Sequence, residues 1–221
     1  MAYYFAFPLA TDHQQQLDAL IEAHSQGTYN TPEEISRLAI RGVDGVIQVL
    51  ALDVIEILKN DKEGGSILEI VAKLVTGTMH VLLRQLLGKV SHTEQDKLSA
   101  YMLRRRVDAP VGRLFGFQMP DAAGQRLQAA LRMAAEGAAP KGSRDELVQA
   151  MLLFIDLTTE YCYDEFVACL ELGMIKRKLV DMSRSTIQKA GHSTVRKLFA
   201  TLSDEQICAV SKHYDGMVLN F

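Results

Sequence analysis

Between Ser66 and Gly88 the polar residues Glu69, Lys73, Thr76, His80 and Arg84 recur at spacings of four, three, four and four. At 3.6 residues per turn that spacing keeps all five on one face of a helix. A histidine and an arginine one turn apart make a cationic wall. Facing a cavity, the wall would suit an anionic ligand or let the imidazole act as a general base. On a solvent face the same residues are ordinary, with Glu69 and Lys73 an i,i+4 ion pair in the favourable order. The solvent face is the preferred reading, and the five are the candidate ligand-binding residues.

A second line is acidic: Asp156, Glu160 and Asp164 fall at i, i+4 and i+8 on an otherwise apolar stretch. Like charges at that spacing repel, so a basic segment, water or a cation has to compensate. Carboxylate-bridged metals in helical bundles use Glu-x-x-His pairs. No histidine here has a glutamate three residues before it, and none is followed directly by aspartate. Neither a metal site nor a cofactor is expected. No phosphate-binding glycine loop or G-x-S-x-G elbow is present. The Tyr161-Cys162-Tyr163 cluster reads as core packing, because apolar and acidic neighbours raise a thiol pKa. No residue is singled out as catalytic, and the chain leans toward a non-enzyme with catalysis left open.

A basic partner for the acidic line lies next to it. Residues 143–175 hold seven acids against Arg144, and residues 176–197 hold Lys176, Arg177, Lys178, Arg184, Lys189, Arg196 and Lys197 against Asp181. If the chain reverses near Gly173, residues 144–172 and 174–190 form an antiparallel hairpin whose charged faces meet. Read instead as a nucleic-acid footprint, the tract has to pass as a helix-turn-helix, and it fails. Ile187 stands where a small residue is wanted and Lys197 where an aliphatic is wanted. Nucleic acid is therefore only a minor alternative partner, and Arg104-Arg105-Arg106 reads as a helix C-terminus whose dipole favours cations.

Between residues 107 and 120 the helical periodicity disappears around Pro110, Gly112, Gly116 and Pro120, yet Leu114, Phe115, Phe117 and Met119 sit inside. The expectation is a long loop that tucks those side chains onto the helices, or that serves as a lid or partner contact.

The elements that must position these residues announce themselves by their starts. Six sites, Thr11/Gln14, Thr31/Glu34, Ser66/Glu69, Ser91/Glu94, Ser143/Glu146 and Ser203/Gln206, carry a capping-box pattern, and Pro32 occupies a favoured first helical position. An all-α protein follows: one domain over residues 1–221, a bundle of about 8–9 helices around a buried central helix near 66–88. Helices are expected at 12–26, 32–41 and 44–60, with a break at Gly42 and Gly45. Others are expected at 66–88, 93–106, 121–136, 144–172, 174–190, 193–202 and 204–214, with a turn at 137–142.

Composition fits a globular chain: 221 residues, 48% hydrophobic, 23% charged, net charge −3. The start, Met1 to Pro8, has no basic region before a short apolar run and does not read as a signal peptide. Cys162, Cys169 and Cys208 read as reduced thiols, so the expectation is a soluble cytoplasmic protein with no membrane partner. Four of the fifteen Phe and Tyr lie within the first seven residues, and the chain closes on Val218-Leu219-Asn220-Phe221. Apolar ends suggest strands or helix covers, and with them a homodimer or another protein partner.

Two function classes remain open: a helical interaction or regulatory protein that self-associates, and a bundle that binds a ligand or acts as an enzyme around His80 and Arg84. A polar line opening onto a cavity would favour the second, and a solvated line with an apolar surface patch the first.

Overall fold

A computed structural model describes residues 2–58, 62–137 and 141–221, with the side chains of 62–64 and 141–142 left aside. The protein is mostly helical but carries a small sheet, so the purely all-α expectation is corrected. Strand β1 (Tyr3–Phe7) leads into α1 (Thr11–Ser25) and α2 (Pro32–Ile47). A π-helical turn (Gln48–Leu52) joins α2 to α3 (Asp53–Ile57), and α4 (Lys62–Leu87) and α5 (His92–Arg104) follow. The hairpin β2 (Arg106–Ala109) and β3 (Gly112–Met119) comes next, then α6 (Asp121–Ala135) and α7 (Lys141–Thr158). A second π-helical turn (Thr159–Asp164) leads to α8 (Glu165–Val167), α9 (Met174–Thr201), α10 (Asp204–Asp215) and β4 (Val218–Asn220).

Three of the six capping boxes close with both reciprocal bonds: Thr31/Glu34, Ser91/Glu94 and Ser203/Gln206. Each cap residue is extended, with ψ of 150, 163 and 164°, which is the geometry a cap needs. Thr11, Ser66 and Ser143 lie inside their helices instead, and the Glu69 and Glu146 side chains take Lys73 and Arg126.

The expected breaks at Gly42, Gly45 and Gly191 do not occur. These glycines serve close packing: a Cβ on Gly45 would lie 3.3 Å from Leu9, and one on Gly191 would lie 2.8 Å from Ile155. Helix α9 is accordingly one element, not the two expected at 174–190 and 193–202. Residues 59–60 of the expected 44–60 helix and 138–140 of the expected 137–142 turn lie outside the described residues.

The 107–120 loop is corrected to a β-hairpin. Its strands join the two chain ends in an antiparallel sheet of order β2-β3-β1-β4, with Phe5 opposite Phe117, Phe7 opposite Phe115, and Phe5 also opposite Val218. Pro110 and Gly112, the latter at φ +120°, mark the hairpin turn. Gly116 lies inside β3, because a Cβ there would fall 2.1 Å from the Phe5 carbonyl. The apolar ends are thereby used within one chain.

Helix α4 is not the buried centre of the molecule. One face packs on α2 and α9 through Leu68, Ala72, Met79, Leu82, Leu83, Leu86 and Leu87, while Ile70, Leu74 and Val81 are exposed. Apolar residues all round its circumference implied burial, but only 28% of its most apolar 18 residues are buried.

Candidate functional site

Two large clusters make up most of the core, beside a small one of Ala6, Val107 and Leu114 on the far sheet face. One lies against the sheet and joins α6, α7, α10 and the C-terminal half of α9; the other joins α2, α4, α5 and the N-terminal half of α9. Between them runs a cavity of about 270 Å³, walled by Leu38, Val46, Val75, Leu83, Phe154 and Leu198 among others. Protein interiors rarely leave voids larger than a water molecule, which makes this one the candidate site.

Two helices that line the cavity are each interrupted by a π-helical turn at its wall, with Leu50 and Ala51 in the first and Thr159, Cys162 and Tyr163 in the second. Such a turn releases carbonyls from the helical ladder. Here a tyrosine takes one from each: Tyr214 donates to the Leu50 carbonyl at 2.8 Å, and Tyr101 to the Cys162 carbonyl at 3.2 Å. The His213 ring donates to the Val49 carbonyl at 2.9 Å. The walls are thus fixed where the helices are widest.

Most polar groups on the wall are engaged elsewhere. Thr159 and Thr194 donate to carbonyls one turn back, Ile155 and Ala190, both at 2.8 Å. Gln95 clasps the Asn30 backbone through its N–H and carbonyl, both at 3.0 Å. Thr158 Oγ1 is buried without a partner. His13 is buried, and desolvation, reinforced by the nearby Arg41 cation, holds its pKa below the usual value, although the Leu38 carbonyl accepts from its ring. Burial pushes the Cys162 thiol up to about 12, so it stays protonated and is no nucleophile. The rest of the lining is aliphatic and aromatic.

The residues expected to bind ligand lie elsewhere. Glu69, Lys73, Thr76, His80 and Arg84 form the flank of α4 toward α2 and solvent; Lys73 Nζ reaches Glu69 at 2.6 Å, and His80 Nε2 reaches Asp44 at 2.7 Å. Arg84 rims a shallow hollow with Glu33, Arg37 and Arg41. None of the five lines the cavity, whose α4 wall is Leu68, Val71, Ala72, Val75, Met79 and Leu83. Of Leu114, Phe115, Phe117 and Met119, only Phe115 reaches it. Phe117 and Met119 pack in the core beneath the sheet, and Leu114 packs on the opposite sheet face.

The acidic line does meet a matched line on α9. Arg184 grips Asp164 through Nε and Nη2, both at 2.7 Å, and Gln188 and His192 both reach Asp156 Oδ1 at 2.7 Å. The α7/α9 hairpin with facing charges is therefore present. Among the described residues no group of three or more His, Cys, Asp or Glu gathers as a metal site.

His13, Thr158 and Tyr214 line the cavity but carry no pattern in the sequence, where the nearest signal is Gly42, which also lines it and reads as a break. Comparison of the chain with protein-family models, with curated proteins and with solved structures found no match.

Proposed function

We propose that this chain is a non-catalytic binding protein that takes up an apolar small molecule in the cavity between its two core clusters. The observation that carries the reading is the volume of about 270 Å³ behind a wall of aliphatic and aromatic side chains with few free polar groups. A dry apolar cavity of about 150 Å³ is enough to take up benzene, so this one suits a bicyclic ring system or an acyl chain of moderate length. Left empty, it deprives the apolar side chains around it of contacts on one side. A ligand that fills it restores those contacts, which is a driving force for binding without any charged anchor.

The test uses N-phenyl-1-naphthylamine, whose fluorescence rises in apolar surroundings. The intact chain is expected to bind it saturably. Ala72, buried on the α4 wall, when changed to Phe, fills the space and abolishes binding while the fold is kept or stabilised. Failure of the intact chain to bind, or undiminished affinity in a folded Ala72→Phe variant, refutes the reading.

A further inference from the structure

We propose that the outward face shared by α4 and α9 docks on an anionic membrane surface. The two helices lie side by side and antiparallel: Leu68 of α4 shares a cluster with Val195 and Leu198 of α9, Leu82 to Leu87 share the other cluster with Val180, and Lys176 Nζ donates to the Leu86 carbonyl at 3.3 Å. Their inner faces are spent on the core. Their outer faces interleave exposed apolar side chains with charged ones rather than being uniformly polar, as solvated helices would require.

On α4, Ile70, Leu74, Gly77 and Val81 fall on one stripe opposite Ala72 and Met79, with Ile70 65% and Val81 55% exposed. On α9, Ile175 is 86% and Met182 70% exposed, and Met174 lies at the same end. The most apolar 18 residues of the α4 segment Gly65–Leu87 have a mean hydropathy of 1.5, yet only 28% of them are buried. Scattered exposed apolar residues need no explanation, but a row of them along α4, continued by Met182, Ile175 and Met174 at the adjoining end of α9, marks a contact surface.

Charge selects the occupant. At 100° per residue, Lys178, Lys189, Arg196 and Lys197 fall on the same side of α9 as Met182, and all four are exposed. The single acid of α9, Asp181, points toward the flank where α7 lies. On α4 the stripe is bordered by Lys73 and Arg84, and the neighbouring Glu69 carboxylate is held by Lys73. The face is thus apolar and cationic within a chain whose net charge is −3. A second copy of the same face would meet it with like charge. Apolar residues at the centre of a long, two-helix surface with lysines and arginines beside them are the arrangement by which interfacial helices sit in an anionic headgroup layer. The inference does not rest on the cavity, since vesicle binding needs no ligand.

The experiment is sedimentation of the full-length chain with extruded vesicles, either pure phosphatidylcholine or containing about one-third phosphatidylserine. Binding is expected to the anionic vesicles only and to weaken as salt is raised. Both Ile70→Asp and the pair Lys178→Glu/Lys189→Glu, each checked for an unchanged melting curve, should weaken it at least about tenfold. Val111→Asp, in the exposed β2/β3 turn, should leave it unchanged. Absence of binding to anionic vesicles overturns the proposal, as does binding indifferent to the charge reversals. Sedimentation velocity and titration with an acidic amphipathic helical peptide cover the alternatives. A dimer that Ile70→Asp dissociates, or capture of the peptide by a chain that ignores vesicles, reassigns the face to a protein partner and overturns it too.

Discussion

Gly116 and Gly77 make opposite demands on one methyl group. Alanine at Gly116 drives its Cβ into the Phe5 carbonyl and Ala6 of the neighbouring strand, both backbone neighbours that cannot rotate away. Loss of about 3 kcal/mol or more is expected in urea unfolding. At Gly77, inside α4 with open space beside it, alanine should stabilise by about 0.5–1 kcal/mol. His13 supplies a test in pH. Burial holds its folded pKa below the ordinary 6.5, so the unfolded chain binds a proton that the folded one refuses. The stability linked to this group is present above about pH 6.5 and is lost as pH falls through the folded value. Urea midpoints should therefore drop on acidification, and His13→Gln, which can still donate to the Leu38 carbonyl, should flatten the drop. Equal slopes in both chains would show that His13 does not couple to folding.

At the scale of elements, the π-helical turns depend on their tyrosines. Tyr214→Phe leaves the Leu50 carbonyl without its donor and is expected to cost about 1–2 kcal/mol, with hydrogen exchange accelerated locally at residues 50–55. Uniform exchange across the chain would argue that the turn holds itself. These elements also show what could be read in advance. Helices with extended caps at Thr31, Ser91 and Ser203 were legible because the cap chemistry is local. The Asp156/Asp164 line was legible because its partners Arg184 and His192 obey the same helical spacing. The hairpin at 106–119 was not, because Gly112 and Gly116 look alike in sequence although one makes a turn and the other a close strand contact. The cavity was illegible for a different reason: Leu68, Ala72, Val75 and Met79 form the same stripe whether they face packed neighbours or a void.

For the molecule as a whole, the sheet places β1 between β3 and β4. Gln128 of α6 ties β4 down by donating to the Val218 carbonyl at 3.1 Å and accepting from Asn220 at 3.0 Å. Removing residues 2–7 strips Phe5 and Phe7 from the core and opens both ladders. That truncation is expected to abolish cooperative unfolding in circular dichroism rather than to alter assembly alone, and a truncated chain that still melts cooperatively would contradict the central role of β1.

The strand made first is completed by segments made much later. β1 ends at Phe7, while its neighbours begin at Gly112 and Val218. At a translation rate of about 5–20 residues per second, β1 waits roughly 5–20 s for its first partner. Throughout that interval a ribosome-tethered chain displays Tyr3, Tyr4, Phe5 and Phe7 on an unpaired edge, the kind of segment that recruits foreign strands. Nascent chains halted before residue 112 should thus be protease-sensitive at their amino end and dependent on chaperones, and the timing of synthesis becomes part of how this protein stays out of aggregates.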